Sequence, residues 1–351
     1  MDVRGAVSLV ARYAAGPHEW NKLVVFGDGS VTASGMTSGA RVPCPSPGEI
    51  AVEASRLKAM LGAIGGDAKL TLKKPKAQAR RLEVAGGGST FKLQEVALER
   101  PEPPAIPGDG DGWRVVPARV VDALVALSTV ASREENDALR GLRLTPSSAI
   151  AGQHWGAMVV SPAEPLVSEP VTIDEATLSD LGGEDIELAI KAGWLFVDTD
   201  DAGVRWSSSF SADFPDGSIA DALRTAAASK PSATAEFAAA EFAVVCKQAG
   251  VSAESPAEVF RMTIGNGKLT VASRVAGPSE FVGSLEATTE GEGALGMTPS
   301  TYALVVAAVA RAGASDKVRL RFVETLIHFA PVNDGSDGVR VDAVVMPQRL
   351  D

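Results

Sequence analysis

The side chains of this sequence that are most suited to chemistry are three histidines and two cysteines. A zinc site would require histidines at the i,i+4 spacing or with neighbouring cysteines. His18, His154 and His328 are far apart in the chain and show neither arrangement. The chain also contains no Gly-x-Ser-x-Gly turn that would present a nucleophilic serine. We therefore expect no metal ion, no cofactor and no catalytic centre. A hydrolase that combines His154 with a serine and an acid is the weakest of the alternatives.

Two glycine-rich stretches are better explained as connections than as ligand loops. Gly265-Asn-Gly-Lys268 is followed by leucine and lacks the Ser or Thr that completes a phosphate-binding loop. Asp109-Gly-Asp-Gly-Trp113 lacks the remaining oxygen ligands of a calcium loop. The first stretch predicts a hairpin turn and the second a linker.

The composition predicts two or three domains in a reducing compartment. The chain has 351 residues, of which 45% are hydrophobic and only 5% aromatic. Cys44 and Cys246 have no metal-ligand spacing, which is typical of a cytoplasmic protein. The apolar run at 302–310 is too short to span a bilayer, and the first residues lack the apolar region of a signal peptide. A net charge of −11 disfavours adhesion of the whole surface to nucleic acid but does not exclude a local basic face.

One unit of sequence occurs three times. Residues 171–190 predict a strand, a short helix that ends at Gly182-Gly183, and an alternating strand. Residues 49–72 and 294–322 repeat this order. The three helices would begin near residues 53, 174 and 299, so the repeat of roughly 120 residues has the size of a small domain. We predict three copies of one domain, at residues 1–112, 113–231 and 232–351.

The sequence of each copy predicts the same order of elements, namely helix, hairpin, strand, helix and hairpin. The first helices are expected at residues 3–14, in a long helix that ends at Ala131, and at residues 234–249. Asp28-Gly29 and Gly265-Asn-Gly267 predict tight hairpin turns. Because strands would pack beneath two helices in every copy, the predicted fold class is α+β, with three repeated helix-on-sheet domains arranged in an arc.

Three motifs carry a resemblance to a known family. The last residues, Val344-Val-Met-Pro-Gln-Arg-Leu350, resemble the family's closing Val-Val-Met-Pro-x-Arg-Leu. Phe210-Ser-Ala-Asp-Phe-Pro-Asp216 resembles the family's strand that ends in Phe-Pro-Asp, and Thr90-Phe-Lys-Leu93 lies where the family has a strand that pairs with another subunit. Together with the triple repeat, these motifs make the sequence similar from end to end to β sliding clamps. That family, the DNA polymerase III beta subunits, provides the processivity factors of bacterial-type replicative DNA polymerases.

The resemblance implies a ring. Two arc-shaped subunits would join head to tail as a homodimer of six domains, with the helices lining a central hole and the sheets forming the outer layer. A clamp loader would place this ring around double-stranded DNA, where it would tether the replicative polymerase by topology rather than by base contacts. The resemblance implies no catalytic site and no cofactor.

In the family, a pocket between the second and third domains receives short hydrophobic peptides of polymerases, the clamp loader and repair enzymes. Carried over residue by residue, the matching positions here are Leu139, His154, Pro215, Val344, Met346, Pro347, Arg349 and Leu350. The loop Gly152-Gln-His-Trp-Gly156 departs from the family's Gly-His-Arg-Leu, with Trp155 in place of arginine and Gly156 in place of leucine. Gln348 replaces an apolar residue, and Asp351 extends past the usual end. These departures predict a reshaped pocket floor and point to a divergent or phage-encoded member.

Cations on the predicted helices are candidates for the lining of a DNA channel. Lysines and arginines that lie off the apolar stripes would attract phosphates without sequence preference and with strong salt dependence. The candidates are Arg12, Lys58, Arg119, Arg133, Lys247 and Arg311. For each of them, an ordinary charge on a solvated helix face is the alternative.

The strand that contains Phe91 and Leu93 is the candidate dimer contact. We expect both apolar side chains to be exposed on an edge strand, which would be an aggregation hazard unless a partner covered it. The predicted partner is the third domain of a second subunit, near Val251. A clamp-like scaffold that binds proteins without encircling DNA is the remaining alternative.

Overall fold

The computed structural model describes residues 1–64, 67–74, 79–134, 137–179, 181–199, 203–210, 213–255, 257–273, 280–323, 325–333 and 337–349. Leu350 of the predicted pocket and the terminal Asp351 lie outside these residues. Within the described residues, no helix is long and apolar enough to cross a membrane.

Helices and strands alternate along the described chain. The helices are α1 (Val3–Val10), α2 (Ala54–Ala63), α3 (Ala118–Ser128), α4 (Asp216–Ala228), α5 (Ala239–Ser252) and α6 (Pro299–Ala312). The first twelve strands are β1 (Leu23–Gly27), β2 (Ser30–Ser34), β3 (Ser38–Pro43), β4 (Ile50–Glu53), β5 (Lys69–Lys73), β6 (Arg81–Gly86), β7 (Ser89–Gln94), β8 (Arg114–Val116), β9 (Leu142–Leu144), β10 (Ala149–Gln153), β11 (Gly156–Pro162) and β12 (Val171–Ile173). The others are β13 (Ile186–Lys191), β14 (Trp194–Thr199), β15 (Gly203–Ser208), β16 (Ala233–Ala238), β17 (Phe260–Gly265), β18 (Lys268–Ser273), β19 (Val282–Glu286), β20 (Thr288–Gly291), β21 (Gly293–Met297), β22 (Lys317–Val323), β23 (Leu326–Pro331) and β24 (Val339–Val345).

These elements form two compact units. Unit 1 comprises Met1–Val115 and Ile186–Ser209, and unit 2 comprises Val116–Asp185 and Phe210–Asp351. Each unit therefore contains parts of two of the predicted copies. The three-domain boundaries after residues 112 and 231 stay a prediction.

The main sheets of the two units share one strand order over eight strands, and the sheet of unit 2 has β20 as a ninth strand. In unit 1 the order is β4-β1-β2-β3-β15-β14-β13-β8, and in unit 2 it is β12-β9-β10-β11-β24-β23-β22-β16-β20. Strands β1 to β4 thus correspond to β9 to β12, and β13 to β15 correspond to β22 to β24. Each unit also has a smaller sheet, β5-β6-β7 in unit 1 and β19-β18-β17-β21 in unit 2. The repeat that the sequence predicts is present in the topology, and the α+β fold class is confirmed.

The core of unit 1 lies between its helices and its sheets. The apolar residues of α1 recur at helical spacing, and Ala6, Val7 and Val10 are fully buried against β2 and β3. The helix begins at Asp2, whose carboxylate accepts a hydrogen bond from the Gly5 N–H at 2.7 Å. Leu57 of α2 is also fully buried, and burial of such a side chain stabilises the fold by about 1.5–3 kcal/mol.

In unit 2, helices α3 and α5 both pack against α6. Tyr302 of α6 lies edge-on to Phe329 of β23, with ring centroids 5.9 Å apart. This contact fixes α6 on one face of the main sheet, directly beneath the strand that leads into the carboxyl-terminal tail.

Both predicted hairpin turns are confirmed. Asp28 and Gly29 have φ values of 46° and 68°, and Asn266 and Gly267 have values of 53° and 73°. Two successive residues with positive φ match the right-handed twist of the flanking strands, which is why Asp-Gly and Asn-Gly are preferred there.

The predicted second helix of the middle copy is wrong. Only Glu175–Thr177 form a short 3-10 turn, which Asp174 caps by accepting a hydrogen bond from the Ala176 N–H at 2.9 Å. Ser179 donates a hydrogen bond from Oγ to the Ala176 carbonyl oxygen at 3.3 Å. Such local side-chain bonds compete with the α-helical backbone pattern, so this segment closes into a turn.

The helix predicted at residues 234–249 begins later than expected. Ala233–Ala238 form β16, which pairs with β22 and β20, and α5 starts at Ala239. Along β16, Ala233, Ala235 and Phe237 are buried in strict alternation. The alanine-rich composition favours a helix locally, but strand pairing on both sides overrides that preference.

Candidate functional site

An apolar cluster lies on the main sheet of unit 2, beside α4. Its buried members come from β10, β11, α4 and the segment that precedes α4, and they are Ile150, Ala157, Val159, Phe214 and Ile219. Leu139 and Leu223 pack against them. The sequence prediction contained no helix here, although Ile219, Leu223 and Ala226 recur at the i, i+4, i+7 spacing of an amphipathic helix.

This cluster and helix α6 lie on opposite faces of the sheet. Ala157 of the cluster pairs with Val344, whereas Phe329, which contacts α6, pairs with Ala343. Adjacent residues of a strand point to opposite faces. Strand β24 is therefore covered by α6 on one face and faces the cluster with Val344 on the other.

Arg143 ties the start of α4 to the sheet. Its Nε donates a hydrogen bond to Oδ2 of Asp216 at 3.2 Å, and its Nη1 donates one to Oγ1 of Thr172 at 3.1 Å. Since Asp216 is the first residue of α4, this network holds Phe214 and Pro215 over the strands. Of the predicted pocket, Leu139 packs against the apolar cluster, Pro215 follows its member Phe214, and Val344 pairs with its member Ala157.

A groove beside the tail, called the tail groove below, contains the next part of the predicted pocket. It has a volume of about 440 Å³. Its lining residues are His154, Trp155, Ala257, Thr298, Ser300, Thr301, Tyr302, Val345, Met346, Pro347 and Gln348. Three predicted pocket residues, His154, Met346 and Pro347, are among them. Arg349 is exposed and belongs neither to this lining nor to the apolar cluster.

Backbone hydrogen bonds hold the tail along this groove. The Met346 N–H donates to the Trp155 carbonyl oxygen at 2.9 Å, and Gln348 and Gly296 exchange two bonds of 3.1 and 3.2 Å. A Cβ atom at Gly296 would lie only 2.5 Å from the Gln348 oxygen, so this approach requires glycine. The tail therefore has a defined course from the apolar cluster, at Val344, to the groove.

Tyr302 gives the groove an unsatisfied polar group. Its side chain is only 2% exposed, and its hydroxyl has no hydrogen-bond partner within the described residues. Burial raises the pKa of this hydroxyl, so it stays protonated and can donate a hydrogen bond. Trp155, which stands where the resembled family has arginine, is almost buried, and its Nε1 donates to Oε1 of Gln153 at 3.1 Å. Sequence patterns alone did not single out Tyr302, because its spacing is that of an ordinary core residue.

A buried hydrogen-bonded pair, His328 and Asp342, lies on the same face of the sheet as Val344. His328 Nε2 and Asp342 Oδ1 are 2.8 Å apart, and Arg340 Nε donates to Asp342 Oδ2 at 2.7 Å. Burial by itself would raise the pKa of Asp342, but the hydrogen bonds from His328 and Arg340 together lower it below its usual value.

We expect Asp342→Asn to reduce the dependence of stability on pH in acid. Because the folded-state pKa of Asp342 is lowered, its stabilisation is present above the unfolded pKa of about 3.9 and is lost as pH falls through the folded value. Urea unfolding at pH 7, 4 and 3 measures this. Asp221→Asn, which removes an exposed pair with Arg224, is the control and should change little. Equal acid sensitivity of wild type and Asp342→Asn would contradict the assignment.

His154 is exposed and makes no hydrogen bond to a serine or an acid in the described part of the chain. His18 stacks on Trp20, with ring centroids 5.9 Å apart. Among the residues that the structure describes, no group of three His, Cys, Asp or Glu side chains is placed to hold a metal ion. The structure therefore offers nothing in support of a hydrolase built on His154.

The six candidate channel cations differ in their pairing. Lys58, Lys247 and Arg311 are exposed and form no ion pair within the described residues, and Arg12 is also exposed. Arg119 Nε donates to Oδ2 of Asp337 at 2.5 Å, and Arg133 pairs with Glu175 at 2.8 Å. Burial and the neighbouring Asp174 raise the pKa of Glu175. Two of the six candidates thus have local counter-charges, and the role of all six in DNA binding stays a prediction.

An edge strand lies at the predicted dimer contact of unit 1, and another packs against α5, the helix that contains Val251. β7 is an edge of the β5-β6-β7 sheet and β19 is an edge of the β19-β18-β17-β21 sheet. The expected exposure of Phe91 and Leu93 is wrong: Leu93 is buried in the core of unit 1 and Phe91 packs against that core. Strand alternation places both side chains on the core face of β7. At the second predicted contact, in unit 2, Val251 of α5 is 84% exposed and Val282 of β19 is 74% exposed.

Two comparisons that use the sequence alone find no similar family or protein. A scan against protein-family models gives no match, and a comparison with curated proteins gives none either.

The structure, in contrast, is similar to solved sliding clamps. The DNA polymerase III beta subunit of Thermotoga maritima superposes with a TM-score of 0.79 at 15% identity, covering 99% of this chain and 97% of that one. The DNA polymerase sliding clamp of Bacillus subtilis gives the same TM-score, identity and coverage. The beta subunit of Pseudomonas aeruginosa gives 0.76 at 16% identity, covering 99% and 98%. The chain therefore has the sliding-clamp fold over nearly its whole length.

Proposed function

We propose that this protein is a DNA polymerase processivity factor, a sliding clamp that tethers a replicative polymerase and other replication proteins to duplex DNA. The observation that carries the proposal is the likeness to DNA polymerase III beta subunits across 99% of the chain. A shared fold alone does not fix a function. The apolar cluster and the tail groove supply the second support, because Leu139 packs against the cluster and His154, Met346 and Pro347 line the groove, and the resemblance implies a partner-binding role for these four residues.

The proposed partner segment is a short apolar peptide. The cluster around Ile150 and Ile219 would accept its aliphatic or aromatic anchors, as few and well-buried contacts usually dominate such interfaces. The Tyr302 hydroxyl and the neighbouring Thr298 would bind a polar group of the peptide in the tail groove. The proposed role is tethering, without catalysis.

Ring closure is proposed to join β7 of one subunit to β19 of a second copy. Both strands leave one side of their sheet unpaired, and an exposed edge favours addition of another strand. Charge complementarity supports this pairing. Lys92 is exposed on β7, whereas Glu286 is exposed on β19 and Glu280 just before it. A homodimer would bring these opposite charges together twice.

If the dimer forms through these strands, a negative charge at the exposed Val251 and Val282 should weaken it. The double variant Val251→Glu/Val282→Glu should raise the dissociation constant of the dimer about 100-fold or more, because each valine contributes about 1.5–3 kcal/mol when buried and a buried carboxylate adds a further cost. Both side chains are exposed in the monomer, so the fold should be unaffected. Light scattering over a concentration series measures the mass.

The matched control is Val115→Glu. Val115 is 62% exposed on β8, away from β7 and β19 in the strand order. This variant should dimerise as the wild type does. A wild-type protein that is monomeric at replication-relevant micromolar concentrations, or a double variant that dimerises normally, would contradict the proposed ring contact.

A further inference from the structure

A second pocket lies on the main sheet of unit 1. Its volume is about 400 Å³, and it is lined by residues of β1, β2 and β3 and by the chain segment 100–103. We call it the unit 1 pocket. In the described residues of unit 1 it combines guanidinium, hydroxyl, carboxylate and indole groups, and neither the sequence motifs nor the proposed partner groove accounts for it.

The unit 1 pocket corresponds in position to the apolar cluster of unit 2. Thr32 pairs with Arg41 between β2 and β3, as Ile150 pairs with Val159 between the equivalent strands β10 and β11. In unit 1 the segment 100–103 lines the site, and in unit 2 the segment that contains Phe214 does so. The unit 1 pocket and the apolar cluster therefore lie on equivalent strand pairs of the repeat.

The chemistry of the two surfaces differs. Where unit 2 has Ile150 and Val159, unit 1 has a hydroxyl and a guanidinium group. Arg41 donates one hydrogen bond, from Nε to Oγ of Ser30 at 3.1 Å. Arg100 lines the same pocket, and its Nη1 is buried without a hydrogen-bond partner. Within the described chain, neither arginine forms an ion pair.

We infer that the unit 1 pocket binds a single carboxylate group on a short peptide segment of a partner protein. Two guanidinium groups with unused N–H donors form charge-assisted, often bidentate bonds to a carboxylate. A bound carboxylate would also satisfy the buried Nη1 of Arg100, which otherwise lacks a partner. Trp20 lines the pocket and offers an apolar surface to the residue beside the carboxylate.

The carboxylates of the pocket oppose the binding of a polyanion. Asp28, Glu49 and Glu102 also line it. Their repulsion grows with the number of negative charges on the ligand, so it would oppose a phosphate chain or DNA more strongly than a single carboxylate that pairs with an arginine of the pocket. We therefore expect the site to prefer an acidic peptide with one carboxylate over nucleic acid.

The test is an NMR titration of the full-length protein with two neutral-ended peptides. The probes are acetyl-Gly-Leu-Asp-Leu-Gly-amide and its counterpart with asparagine in place of aspartate, which differ only in the carboxylate. The aspartate peptide should bind about tenfold or more tightly, because charge-assisted hydrogen bonds are about twice as strong as neutral ones. A short DNA duplex should not displace it.

Variants locate the binding. In Arg41→Gln/Arg100→Gln the preference for the aspartate peptide should disappear, whereas in Met346→Glu, which alters the tail groove, it should persist. Equal affinity of the two peptides for the wild type overturns the inference without relying on any variant. Loss of the preference in Met346→Glu instead would also overturn it, by placing the carboxylate in unit 2. The experiment depends neither on dimerisation nor on the encirclement of DNA, so its outcome is independent of the proposed ring.

Discussion

Met346→Glu is expected to weaken the binding of an apolar peptide about 30-fold or more, the loss that follows when an interface residue contributing about 2 kcal/mol is removed. The side chain lines the tail groove and is 61% exposed. The substitution therefore changes the groove without opening a cavity in the core. A carboxylate there would also have to lose water when an apolar peptide binds.

The measurement is calorimetry with acetyl-Leu-Ser-Leu-Phe-amide. Met36→Glu is a matched control, because Met36 is 60% exposed in the loop between β2 and β3 of unit 1, the counterpart of the His154 loop. The control should bind as the wild type does. If Met346→Glu binds the peptide with unchanged affinity, the tail groove is not the partner site.

Truncation of residues 346–351 should have an even larger effect on the same peptide and little effect on the dimer. It removes the hydrogen bonds of Met346 to Trp155 and of Gln348 to Gly296, along with one wall of the groove. The β7 and β19 edges lie elsewhere in the strand order. Loss of dimerisation in the truncated protein would show that the tail supports the ring contact instead.

Local sequence signals predicted the parts of the fold that depend on local geometry. Asn266-Gly267 marks a hairpin because those residues tolerate positive φ, and α1 is visible in the spacing of Ala6, Val7 and Val10. Ala233–Ala238 could not be read in this way, because an alanine-rich segment becomes a strand only through its two neighbours, β20 and β22. The grouping of β13 to β15 with unit 1 likewise depends on long-range strand pairing, since β15 pairs with β3.

The candidate site was predictable where a motif marks it. The tail motif led to Val344, Met346 and Pro347, and the structure brings these residues beside the cluster or into the groove. The sequence gave no sign of the buried hydroxyl of Tyr302, because the burial of a single oxygen atom depends on how the side chains around it pack. Leu93 was expected to be exposed but is buried. The alternation of an edge strand does not reveal which of its faces packs against the core.

The second large effect concerns the hold on DNA. An acidic protein with a net charge of −11 and few unpaired helix cations should bind short linear duplex weakly, and that binding should fade as salt competes for the phosphates. A closed ring around DNA does not depend on such contacts. It escapes only when the dimer contact opens or when a free DNA end is reached. Retention should therefore depend on DNA topology and hardly on ionic strength.

The most direct measurement is gel filtration of the protein after a clamp loader has placed it on nicked circular DNA, at about 1 M salt, where the Debye length is only about 3 Å. The wild type should elute with the circles and should be released by a single restriction cut, while Val251→Glu/Val282→Glu should never be retained. If the cut releases nothing, or if the double variant stays on the circles, the protein holds DNA by contacts and does not encircle it.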